Sequence, residues 1–142
     1  MKSSSQPIYS SAGRSLRIAL WIAQVIVFVV FSGSGFVKLT MPIPELSTMM
    51  PWTGQYSPSF VRFIGMVDLA GGLGILLPAL ARIKPTLTVL AALGCATVQV
   101  LAIAFHASRS EFMALPLNFV LLPLSLFVLW GYSKRAPIAA RA

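Results

Sequence analysis

Four long apolar stretches, separated by short polar breaks, constrain this chain more than any other feature. They run Leu16–Val37, Phe60–Leu80, Pro85–Phe105 and Phe112–Gly131. Each has about the 20 residues that a helix needs to cross a bilayer. No charge follows Arg17 in the first stretch; the second holds Arg62 near its start and Asp68 inside, and the other two hold none. Charged residues are 10% of the 142, whereas a soluble domain carries about 25%. Too little polar surface remains to cover a particle in water. The pattern predicts an all-α integral membrane protein, an antiparallel four-helix bundle.

Placement of charge gives the orientation. Lys2, Arg14 and Arg17 precede the first span, Arg82 and Lys84 lie between the second and third, and Lys134, Arg135 and Arg141 follow the fourth. Basic residues in short loops stay in the cytoplasm, so both termini are expected there. Only Lys38, Arg62 and Arg109 fall on the other side, and the three acids, Glu45, Asp68 and Glu111, belong to that side or the half-membrane facing it. The net charge of +8 is thus mostly a topology signal, and nucleic acid is excluded as a partner. The first span resembles a signal peptide up to the small residues Ser32–Gly35. Phe36 and Val37 continue the apolar run, however, and cleavage would leave an odd number of spans.

These signals divide the chain into a disordered cytoplasmic N-terminus (1–15), one membrane domain (16–131) and a cytoplasmic tail (132–142). ARIKP (81–85) makes a tight hairpin and HASRSE (106–111) a second short connection. The only substantial loop is 38–59, marked by Pro42, Pro44, Pro51 and Pro58. Pro78 and Pro123 remove backbone donors and are expected to bend their helices.

Polar side chains in lipid turn inward, and positions about 3.6 apart share a helix face. That spacing collects Gln24, Phe28, Phe31, Gly35 and Lys38 in the first span, and Gly65, Asp68, Gly72, Ile75 and Ala79 in the second. The third gives Thr88, Ala92, Cys95, Gln99, Ala102 and His106; the fourth gives Glu111, Leu115, Asn118, Leu122, Ser125 and Tyr132. Gly35, Gly65, Gly71, Gly72 and Gly74 are the expected points of close helix approach.

Depth along the spans brings Lys38, Asp68, Gln99, His106, Glu111 and Asn118 toward one polar pocket open to the outer face. Asp68 lies nearest the midplane, where a carboxylate costs about 2.5–3.5 kcal/mol on insertion scales. It is either a functional group or a structural one, paired with Lys38 or hydrogen-bonded to Asn118. His106 is a pocket residue or a solvated helix cap. Arg62 and Arg109 read as interface anchors, and Trp52 and Tyr56 as members of an aromatic belt. Cys95, the single cysteine, has no partner for a disulfide or a CxxC pair. One histidine and scattered acids make no metal or haem site.

The pieces SGSGFVKL (32–39), IGMVDLAGGLGILLPAL (64–80), KPTLTVLAALG (84–94), HASRSE (106–111) and WGYSKR (130–135), with a Pro/Trp-containing outer loop, resemble the DoxX-like family of small four-span bacterial membrane proteins. The resemblance spans about residues 20–135. It puts Lys38, Asp68, His106 and Glu111 on recurring polar positions, with Asp68 where relatives often carry Glu. It implies a multi-pass protein of the bacterial inner membrane, and some relatives are membrane subunits of quinone-linked systems or partners of redox enzymes.

Three functions follow. The chain is an accessory subunit of a membrane redox system, not a stand-alone enzyme, with a quinone headgroup or small substrate in its pocket. Alternatively it passes a small solute or proton, or it is a structural or assembly protein. Its expected partners are the lipid bilayer and another membrane or redox protein, with a homo-oligomer as an alternative.

Overall fold

The computed structural model describes residues 12–141. The expected N-terminal tail therefore falls outside the described residues up to position 11. Within them the fold is all helical: α1 (Ala12–Thr40), α2 (Ile43–Met49), α3 (Pro58–Ala81), α4 (Thr86–Ser108) and α5 (Leu115–Trp130). A 3₁₀ turn (Pro51–Gly54) and a π-helical turn (Gly131–Arg135) complete the set, and no strand occurs among the described residues. Hydrocarbon offers no partner for a free N–H or C=O, so a spanning segment must bond its own backbone. Long α1, α3, α4, and α5 with its π turn, do this, and all four are long and apolar enough to cross a membrane. Both α3 and α5 continue through their internal prolines, Pro78 and Pro123.

The four spans form a ring in which α1 packs on α3 and α5, and α4 packs on the same two helices. Their outer faces carry exposed large apolar residues such as Ile22, Val29, Leu73, Leu90, Leu101 and Phe119, a surface suited to acyl chains. Their inner faces are the stripes read from the spacing. Gln24, Phe31, Gly35 and Lys38 are buried, as are all five residues of the α3 stripe and Thr88, Ala92, Cys95 and Gln99 of α4. On α5 the buried leucine is Leu121; Leu122, expected inside, is only half-buried.

Glycine sets the tightest crossing, between α1 and α3. A β-carbon on Gly35 would lie 2.6 Å from the Leu69 backbone nitrogen and 2.7 Å from the Gly65 carbonyl oxygen. One on Gly65 would lie 2.8 Å from Lys38 Cβ, and one on Gly72 would lie 2.8 Å from the Ser32 backbone nitrogen. Gly71 and Gly74 face α4 instead, against Cys95 Sγ at 3.0 Å and Ala91 Cβ at 3.1 Å. Gly131, which the spacing did not single out, leaves room for the Leu20 side chain.

The largest departure from expectation lies at 38–59. Instead of an open loop, α1 runs on to Thr40, and α2 and the 3₁₀ turn fold into a cap. Leu46, Trp52 and Val61 form its buried core, with Val37, Ile64 and Phe105 packed against them. Pro42 precedes α2, and Pro51 and Pro58 open the two helical segments that follow, the positions where a missing N–H costs nothing. The prolines thus start helices here.

Candidate functional site

Under the cap lies a cavity of about 890 Å³ that reaches down between the four spans. All six expected pocket residues line it: Lys38, Asp68, Gln99, His106, Glu111 and Asn118. Most of the remaining wall is apolar, including Phe31, Ile64, Val98, Phe105 and Leu121.

Its polar groups form two separate clusters. In the deeper one, Lys38 Nζ donates to Asp68 Oδ2 at 2.6 Å and to Ser34 Oγ at 2.6 Å, while Ser34 Oγ donates to the same Asp68 oxygen at 3.0 Å. Lys38 and Asp68 are 7% and 5% exposed, so the charges meet almost without water. Of the two structural partners considered for Asp68, the pair is with Lys38 and not with Asn118. Ser34 was not singled out, although it stands one helical turn before Lys38. The Trp52 ring centroid lies 5.8 Å from Lys38 Nζ, giving the ammonium a cation–π contact in place of lost hydration.

Gln99 Oε1 and Asn118 Nδ2 are buried among these groups with no hydrogen-bond partner among the described residues. A buried polar atom left unpaired costs about 1–3 kcal/mol. Asp68 Oδ1 likewise accepts no bond from the described residues. Gln99 and Asn118 both line the cavity, although these two amide atoms themselves have almost no accessible surface.

The second cluster lies at the mouth. Gln99 and His106 stand two turns apart on α4, about 10 Å along the axis. His106 Nδ1 contacts Glu111 Oε2 at 2.6 Å, and Arg109 Nε donates to Glu111 Oε1 at 2.8 Å. A carboxylate only accepts, so the histidine Nδ1 carries the hydrogen. Arg109 also donates through Nη2 to Gln55 Oε1, tying the loop after α4 to the end of the 3₁₀ turn. Its guanidinium lies 5.3 Å from the Phe105 ring and 5.8 Å from that of Tyr56. Burial pushes the Glu111 carboxyl up. Hydrogen bonds from His106 and Arg109 outweigh it, and the net direction is below the ordinary value of 4.5.

Several residues have other roles than those expected. Arg62, expected as an interface anchor, ties two helices together: its Nη1 donates to the carbonyls of Lys38 and, at 2.9 Å, Met41, closing the C-terminal end of α1. Arg109 is part of the mouth cluster. Trp52 is buried inside the cap, 8% exposed, instead of belonging to a lipid-facing belt. His106 is half-buried and paired, not a solvated cap. Trp52 carried a signal in its position between prolines and close to Tyr56, but only the fold of the cap turns it inward.

A model of the DoxX-like family matches residues 22–128. Comparison with curated proteins returned no match, and neither did comparison with solved structures. The family match covers about three quarters of the chain and contains both polar clusters whole. On that match and its four spans, this chain belongs to the DoxX-like family.

Proposed function

We propose that the chain is a membrane subunit whose cavity takes a small amphiphilic molecule with a hydrogen-bonding headgroup, a quinone being the class the family resemblance favours, in support of a partner redox protein. One observation carries the reading: Gln99 Oε1 and Asn118 Nδ2 are buried and unpartnered in the wall of a largely apolar 890 Å³ cavity. Small-molecule pockets are typically about 300–1,000 Å³, mostly apolar, with a few convergent polar groups. A headgroup hydroxyl would donate to Gln99 Oε1 and a headgroup oxygen would accept from Asn118 Nδ2 once the two amides turn toward it, and the apolar body would lie along Phe31, Val98 and Leu121. Lys38 and Asp68 would hold the field at the inner end, with one ammonium proton and Asp68 Oδ1 free of protein oxygen partners. A quinone supplies two-electron redox chemistry when bound; this chain supplies binding and orientation.

Under the positive-inside rule the cavity faces outward from a bacterial inner membrane, with 132–142 in the cytoplasm. Conduction is less well supported. Val27, Ile75, Ala92, Cys95 and Leu121 pack together below the polar layer, and the next polar group along α1, Gln24, is bonded to Tyr132 at 2.8 Å.

Gln99→Leu and Asn118→Leu remove no hydrogen bond made within the described residues, so both variants should fold. Binding of a short-chain ubiquinol, whose hydroxyls donate as well as accept, to the detergent-purified chain under reducing conditions, followed by calorimetry, should weaken by about tenfold in each, the worth of about 1.4 kcal/mol. Unchanged affinity in both variants, or no saturable binding to the unaltered chain, would sink the proposal.

A further inference from the structure

We propose a second binding site, at the opposite end of the bundle, for the phosphate headgroup of an anionic phospholipid. A cavity of about 350 Å³ opens there between α1, the C-terminal end of α3, the π-helical turn and the chain's tail. Arg17 and Trp21 line it from α1, Arg82 from the cap of α3, Tyr132 from the π-helical turn, and Ile138 and Ala139 from the tail.

Arg82 is held in place. Its backbone is left-handed, with φ of 56°; its Nε donates to the Ala139 carbonyl at 3.0 Å, and its own carbonyl accepts from Arg141 N at 2.8 Å. Among the described residues neither the rest of its guanidinium nor the Arg17 side chain makes a hydrogen bond. Arg17 and Trp21 are four residues apart and so share a face of α1. Two guanidinium forks from different helices thus converge on one opening, the geometry that recognises phosphate oxygens.

No aspartate or glutamate side chain pairs with them among the described residues. The chain has three acids, and they are Glu45 in α2, Asp68 in the deep cluster and Glu111 at the far mouth. Arg17, Arg82, Lys84, Lys134 and Arg135 share the near end with no acid. The source of the phosphate follows from depth. Trp21 is the kind of residue that sits at headgroup level, and Ile18 and Ile22 beside it on α1 are 54% and 58% exposed, an apolar surface for acyl chains. Basic pockets between spans on the cytoplasmic side attract anionic headgroups in this way. The site is independent of the one under the cap.

The test uses the full chain in phosphatidylcholine vesicles carrying trace spin-labelled phosphatidylglycerol or spin-labelled phosphatidylcholine, with protein-restricted label read by electron paramagnetic resonance. The unaltered chain should prefer phosphatidylglycerol, and the preference should fall about fivefold for each arginine removed in Arg17→Gln/Arg82→Gln. Lys134→Gln/Arg135→Gln removes the same charge away from the cavity and should keep most of the preference. If the first double variant does not fold, Arg17→Gln alone serves, since Arg17 bonds nothing in the described protein. Equal loss in both double variants, an unaffected Arg17→Gln, or no preference in the unaltered chain overturns the proposal. Displacement of the labelled lipid by millimolar inorganic phosphate also overturns it, by showing a free-anion site.

Discussion

Lys38 and Asp68 lie 2.6 Å apart and nearly dry, so each depends on the other's charge. Removing one partner leaves a buried charge uncompensated, which costs about 3–5 kcal/mol, whereas replacing both is much less harmful. Lys38→Met or Asp68→Asn alone should therefore destabilise the bundle by about that amount. The double variant should lose clearly less than the sum, as read by denaturant unfolding in mild detergent; additive losses would show that the pair does not couple. Glu111 behaves differently because it sits at the mouth. Its carboxyl titrates below the ordinary 4.5 in the folded chain, so its bonds add stability that is complete above the unfolded value. That stability is lost as pH falls through the lower, folded value. Thermal midpoints measured downward from pH 6 should drop through this window in the unaltered chain and drop less in Glu111→Gln. An identical pH profile in the variant would exclude Glu111 as the source. Asp68 and Lys38 were legible as residues, because charge in an apolar span is rare. Their partnership was not, since spacing places a side chain on a face without choosing its neighbour across the bundle.

Among the elements, the α1–α3 crossing rests on glycines that the spacing also marked. Gly35→Ala would put a β-carbon against the backbone of α3, a shift that overpacked cores resist at about 1–3 kcal/mol. Gly33, two residues earlier, has nothing within 4 Å of its added β-carbon. Gly33→Ala should therefore be neutral or stabilise by about 0.5–1 kcal/mol through helix propensity, so opposite signs for the two neighbours in the same unfolding assay would confirm the interface. Similar effects at both positions would contradict it. The cap of α2 and the 3₁₀ turn escaped the reading of the chain. Segments of 7 and 4 residues are too short for a periodic signal, and their prolines read equally well as loop or as helix starts. Only the packing of Leu46, Trp52 and Val61 into one cluster gives them a fixed place.

For the whole molecule, an even number of spans puts both ends of the described chain together, and Leu20 against Gly131 and Gln24 against Tyr132 join them. Which side of the membrane they face is a matter of charge: the basic end carries no acid, and the other holds all three. A fluorescent reporter fused after Ala142 should be active in the cytoplasm, and alkaline phosphatase at the same position inactive. A reporter inserted at 109–110 should give the reverse pattern; the opposite result in both would turn the molecule over and place the large cavity inside. The two cavities divide the molecule by chemistry. One is apolar with buried amides under a cap, and the other is a cationic notch at the opposite end of the bundle.

Apolar length, charge asymmetry and the inward stripes were settled by the order of residues alone, because a bilayer filters segments one at a time by length and charge. From these came four helical spans, their buried faces and the six residues around one cavity. Tertiary structure decided the rest. It chose Lys38 over Asn118 as the partner of Asp68, split the polar residues into a deep and a mouth cluster, and turned Trp52 inward as a lid. It also left Gln99 Oε1 and Asn118 Nδ2 without partners among the described residues. Each of these depends on which side chains meet across different helices, and a distance between helices is a property of their packing that no single span contains.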